Sequence, residues 1–115
     1  MPEVSHEWVA ELKKGSIQLC LLALLAGEPK YGFQLIKELR DLSEGFFDVK
    51  EGTLYPALRR LEERGFVKSE WVEREVGVPR KYYTLTVHGR KALAEAKAVW
   101  GDMAGSMNRI LRGSR

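Results

Sequence analysis

After Gly65 the hydrophobic pattern of this 115-residue chain changes period, and few folds accommodate the change. Upstream, apolar residues recur at helical intervals. From Phe66 to Glu73, Val67, Ser69 and Trp71 fall on one side while Lys68 and Glu70 fall on the other, the period of a strand. Lys81 to Thr86 is rich in Tyr and Thr, as strands are. The intervening Arg74 to Arg80 holds Gly77 and Pro79, so the two strands form a hairpin with a long tip. Thr86 is then the N-cap of a last helix. Along that helix Leu93, Ala96, Trp100, Met103, Met107 and Ile110 follow one another at spacings of 3 and 4, a heptad seam. At the end of a small domain such a seam needs a partner helix. Gly101 and Gly105 allow another backbone to approach closely, at a helix-propensity cost of about 1 kcal/mol each.

Three helices are expected before the hairpin. Ser5 caps the first, with Glu7 near its positive end. Trp8, Leu12, Leu19, Leu22 and Leu25 carry it to Ala26, with a bend expected at Gly15-Ser16 and a stop at Gly27-Glu28-Pro29. The second runs from Tyr31 to Leu42, directing Leu35, Ile36, Leu39 and Leu42 inward and Gln34, Lys37, Glu38 and Arg40 outward, and Gly45 closes it. Phe46 to Lys50 is a connector with a scrap of strand. The third extends from Gly52 to Arg64, with Gly65 as its C-terminal cap. Leu54, Leu58 and Leu61 form its inward stripe, and Thr53, Tyr55, Pro56, Arg59, Arg60 and Glu63 face outward. Pro56 fits only a first turn, so that helix is expected to begin just before it. Gly113-Ser114-Arg115 reads as a frayed tail.

Composition narrows the function. With 44% hydrophobic and 30% charged residues the chain has material for one self-supporting core, and wholesale disorder is excluded. The lone Cys20 forms no internal disulfide and reads as a small core residue; one Cys and two His, His6 and His88, argue against a zinc site. A reducing, cytoplasmic location follows. Lys13 and Lys14 precede the apolar run Ile17 to Ala26 as in a secretory signal, but Glu3, Glu7 and Glu11 make the leading segment mixed, so the run reads as a buried helix. No stretch reaches the about 20 apolar residues that span a membrane. Neither a Ser-His-acid set nor paired carboxylates form a catalytic arrangement, so no enzymatic activity and no cofactor are expected. The formal charge of +3 and pI near 9.1 permit a polyanionic partner.

Three helices, a hairpin and a final helix make a mainly α chain with the order of a winged helix-turn-helix, extended by a C-terminal dimerisation helix. The expected division is a DNA-binding domain over residues 1–86, whose first helix contributes to the dimer, and a dimerisation helix over 87–115. In this arrangement the third helix enters the major groove, and the hairpin tip reaches a neighbouring groove or the phosphates.

The segments Leu12-Lys13-Lys14-Gly15-Ser16, Tyr31-Gly32 and Gly52-Thr53-Leu54-Tyr55-Pro56-Ala57-Leu58 resemble the PadR family of bacterial transcription regulators. So do Arg60-Leu61-Glu62, Pro79-Arg80-Lys81-Tyr82-Tyr83 and Leu85-Thr86 followed by Gly89. The single short C-terminal helix is similar to the small subgroup of that family. The resemblance implies a winged-helix homodimer that binds a promoter, usually as a repressor, and leaves it when an effector arrives. One position departs: Val78 stands before Pro79, where the family's wing often carries an arginine.

Taken alone, Arg59 and Arg60 read as solvated charges balanced by Glu62 and Glu63. The winged-helix order turns them into DNA contacts, together with Thr53, Tyr55 and Pro56 at the start of the helix and Arg74, Arg80 and Lys81 at the tip. Tyr31 is expected to hold the second helix against the hairpin. Trp100 has two readings: filling of the dimer core with Leu93, Ala96, Met103, Met107 and Ile110, or stacking on a flat aromatic effector with Met103 and Trp8. The second rests on resemblance to multidrug-sensing relatives with a tryptophan on the last helix. The rival to DNA binding is a winged-helix module for protein–protein interaction.

Overall fold

The computed structural model describes residues 5–113. Ser114 and Arg115, and with them most of the expected tail, lie outside these residues, as does Glu3. The elements are α1 (His6–Leu25), β1 (Lys30–Tyr31), α2 (Gly32–Leu42), α3 (Glu51–Glu63), β2 (Val67–Val72), β3 (Arg80–Leu85) and α4 (Val87–Arg112). This is a mostly helical winged-helix fold.

At the start of α1 the Ser5 side chain accepts a hydrogen bond from the Trp8 backbone N–H at 3.1 Å, relieving one of the unpaired donors of a first turn. α1 is continuous through Gly15-Ser16, with no break in the helix there. A glycine there costs propensity without breaking the ladder, and Ile17, Leu21, Leu22 and Leu25 hold the second half by burial.

α3 begins at Glu51, so Pro56 lies in its second turn rather than its first. The hydrogen bond it forgoes is the one to the carbonyl of Gly52, an exposed residue. Phe46 to Lys50 contains no strand; the extra strand is β1 instead, too short to show an alternation. It pairs antiparallel with β3 through Lys30↔Tyr83 and Tyr31↔Tyr82, giving the sheet order β1-β3-β2. Tyr31 therefore ties the start of α2 to the hairpin, its ring edge-on to Tyr82 at 5.4 Å.

The hairpin register runs from Val67↔Leu85 to Val72↔Arg80. Val67, Tyr83 and Leu85 face the core, where Leu21, Leu25, Leu35, Leu54, Leu58 and Leu61 are fully enclosed. Cys20 is half-buried against this core, and burial raises its thiol pKa. No polar or charged side chain is buried among the described residues. Leu42, expected to face inward, is exposed at the end of α2.

At its start α4 is capped by the Thr86 hydroxyl, which accepts from the Gly89 N–H at 2.9 Å and donates to the Gly65 carbonyl at 2.6 Å. The turn after α3 and the turn into α4 are thereby pinned together. The radius of gyration is 16.3 Å, against about 13 Å for a compact chain of this length. The molecule is elongated, and most of the large apolar side chains on the second half of α4 remain in solvent.

Candidate nucleic-acid interface

Arg59 and Tyr55 project from α3 toward the hairpin because they lie about 40° apart on the helical wheel, roughly opposite the buried stripe of Ala57, Leu58 and Leu61. Facing them across a cleft of about 660 Å³ are Trp71, Arg74, Arg80 and Lys81 of the hairpin, with Tyr31, Gly32 and Phe33 closing one end. Thr53 and Arg60 are exposed on the other flank of α3 and do not line the cleft. Pro56 is half-buried beside them. The expected DNA-contacting residues thus divide into a cleft set and a flank set.

Hairpin register determines which side chains enter the cleft. Trp71 lies directly opposite Lys81, and Ser69 opposite Tyr83, so all four share one face. Near the base of the hairpin that face is core; toward the tip it opens onto α3. The Ser69 hydroxyl donates to Glu62 at 3.0 Å, fixing the spacing between hairpin and helix. Lys81 Nζ lies 5.9 Å from the Trp71 ring centre and 5.8 Å from that of Tyr83. Arg80 lies over the Tyr31 ring at 4.2 Å, which couples it to the start of α2.

The third basic residue of the tip lines the cleft and also braces its own loop. Arg74 Nε donates to the Val78 carbonyl at 2.8 Å, clipping the loop across its own turn. Gly77, between them, has φ +93°, and a Cβ there would crowd the Arg74 guanidinium. The tip proper consists of Val76 and Val78, both exposed. Arg74 was singled out in the sequence for phosphate contact; its main visible partner is the loop itself.

Tyr55 and Tyr83 are both neutral phenols over the physiological range. Burial pushes Tyr83 up to about 12, with the charge of Glu62 and neighbouring Tyr55 adding and Arg59 opposing. Burial also raises Tyr55, with Glu51 contributing. Four cationic side chains and one carboxylate, Glu62, line the cleft, so it attracts anions. Phe33 escaped the sequence reading because its place is set by β1, which draws the start of α2 beside the hairpin. The strand period puts Trp71 on the same side as Val67 and Ser69, but it does not reveal a cleft wall.

A second surface lies on α4 and α1. Trp100, Met103, Met107 and Ile110 are exposed, as are Trp8 and Leu12. Leu93 does not belong to this open seam: it is 7% exposed and packs in the protomer's own core. Ala96 is half-buried, so the free part of the seam begins at Trp100. No Cβ contact lies within 4 Å of Gly101, and Gly105 meets only Arg109 at 3.5 Å, leaving this stretch of backbone accessible. Among the described residues no group of three or more His, Cys, Asp or Glu is arranged for a metal, and no helix is long and apolar enough to cross a membrane.

Comparison with known proteins places this architecture. The chain is 36% identical over 95 residues to the transcriptional regulator Rv3488 of Mycobacterium tuberculosis, covering 82% of this chain and 84% of that one. Its structure is similar to that of a PadR family transcriptional regulator from Eggerthella lenta, with 35% identity, a TM-score of 0.79 and coverage of 91% and 89% of the two chains. A PadR-like transcriptional regulator from Bacillus cereus is similar as well, with 32% identity, a TM-score of 0.75 and coverage of 90% and 99%. These relatives are transcriptional regulators, not enzymes. The model of the transcriptional regulator PadR-like family matches residues 21–95, about two thirds of the chain, and the chain belongs to that family.

Proposed function

We propose that this regulator is a cytoplasmic, sequence-specific DNA-binding repressor that works as a homodimer and responds to a ligand. The observation that carries the DNA-binding part is the gathering of Arg59, Arg80 and Lys81 on one concave face between α3 and the hairpin. Thr53 and Arg60, exposed on the other flank of α3, are proposed as further contacts outside that face. In this reading residues 1–86 bind DNA, and the helix within residues 87–115 joins two copies together with α1. The exposed side chains from Trp100 to Ile110 support the second part, because an apolar stripe on a projecting helix is stabilised by a second copy. A two-fold dimer presents two identical α3 helices, so the operator is an inverted repeat with half-sites about one helical turn, or a small multiple, apart.

Trp100, Met103 and Trp8 are the proposed effector site: flat aromatic compounds would stack between the two Trp100 rings at the two-fold axis and change the spacing of the α3 helices. The half-exposure of Trp100, 49%, and Met103, 50%, leaves their faces free for such a ligand in the protomer.

Binding to random duplex DNA at several salt concentrations tests the reading. Affinity should fall steeply with salt, and Arg80→Ala with Lys81→Ala should weaken all sequences alike and flatten the log–log slope by roughly two units. A slope near zero for the unaltered protein would favour a protein–protein interaction module instead.

A further inference from the structure

Double-stranded DNA makes use of the cations in the cleft between α3 and the hairpin, but it has little use for the cleft's aromatic walls. In a duplex the base faces are stacked on one another, and the surface offered to a protein consists of edges and phosphates. Trp71 is nevertheless 68% exposed and Phe33 64% exposed, and both line the same concavity. An exposed aromatic pair around a cavity of about 660 Å³ has the size of a small-molecule site.

We infer that this cleft binds a flat aromatic ring carrying phosphate, of the size of a mononucleotide, and that this ligand excludes DNA from the same face. Trp71 and Phe33 supply surfaces on which the ring stacks. Arg59, Arg80 and Lys81 supply charge at separate points of the rim, which suits a multiply charged phosphate better than a single carboxylate. Glu62 offsets only part of this charge, being one carboxylate against four cationic side chains on the cleft wall. Arg80 and Lys81 are already held beside the Tyr31 and Trp71 rings, so little ordering is needed when an anion arrives. The site is distinct from the one proposed around Trp100. It would act by occupying the DNA-reading face directly, with no change of angle between subunits. Ligand binding stands on the cleft alone, whereas exclusion of DNA rests on the proposed function.

The test titrates GMP, inorganic phosphate and benzoate separately into the full chain while following tryptophan emission, and repeats the titrations in the presence of labelled duplex. GMP should quench saturably, more tightly than phosphate or benzoate by at least tenfold, and should release the duplex over the same range. Trp71→Leu, at an exposed position, should fold normally and lose the saturable quenching, while Trp100→Leu should retain it. No saturable response to GMP, or a response unchanged in Trp71→Leu, overturns the inference. Equal binding of phosphate reduces the cleft to a simple anion site, and equal binding of benzoate removes the phosphate assignment; either result overturns it too. Binding of GMP that depends on Trp71, by a protein that binds no duplex, supports the site and refutes the DNA-binding reading instead.

Discussion

The hydroxyl of Tyr55 occupies the space that a Cβ on Gly32 would need, so the Tyr55 ring of α3 lies against the start of α2 because position 32 has no side chain. The contact places the Tyr55 ring on the cleft wall and orients the helix that carries Arg59. Gly32→Ala should destabilise the fold by about 1–3 kcal/mol, the range for overpacking a tight site. Tyr55→Phe in the same chain should recover part of that loss, because the hydroxyl is the nearest obstacle. Urea unfolding of the two single variants and the double variant measures the coupling. Additive losses would show that the two residues do not meet.

The wing tip depends on the Arg74 clip more than on strand pairing, since the register ends at Val72↔Arg80. Arg74→Ala should speed amide exchange at Val76, Gly77 and Val78 while leaving β2 and β3 protected. Global stability should change by no more than about 0.5 kcal/mol, as for an exposed surface site. Uniform loss of protection along the hairpin would show that the clip holds the whole wing.

Much of this was legible from the period of the sequence. The hairpin showed itself through the alternation of Val67, Ser69 and Trp71, and the α3 stripe through Leu54, Leu58 and Leu61. Thr86 was readable as a cap because it precedes a return to helical spacing. Other features depend on tertiary approach and leave no local pattern. Two residues of β1 cannot alternate visibly, and their partner on β3 lies about fifty positions away. Phe33 becomes a cleft wall only once β1 has positioned α2. Leu93 fits the heptad as well as Trp100 does, yet the core of its own protomer covers it, which spacing cannot distinguish. The role of Arg74 likewise depends on the backbone turning back at Gly77.

The open seam on α4 leads to a prediction about assembly. The protein should sediment as a dimer at micromolar concentration. Trp100→Asp with Met107→Asp should yield a folded monomer, because the two side chains are 49% and 47% exposed and the protomer core does not require them. Placing a carboxylate in an apolar interface costs several kcal/mol unless it finds a partner, enough to dissociate a dimer of ordinary affinity. Circular dichroism checks that the variant is folded, and sedimentation reads its mass. A variant that remains dimeric would move the interface away from these residues.

Tyr83 makes the fold sensitive to high pH in a defined window. Its side chain is buried at 3% exposure, and burial with the nearby Glu62 lifts its pKa from 10.0 to about 12. A raised pKa means that the native state holds the phenol proton more tightly than the unfolded chain does. The associated stability is therefore fully present below about pH 10 and is lost as pH rises through 12. Unfolding free energy measured across this window should decline, and phenolate absorbance should show Tyr83 titrating at about 12. Tyr83→Phe should remove both the late titration and its share of the decline, while changing stability at neutral pH by about 1 kcal/mol or less. An unchanged alkaline profile in that variant would place the sensitivity on another group.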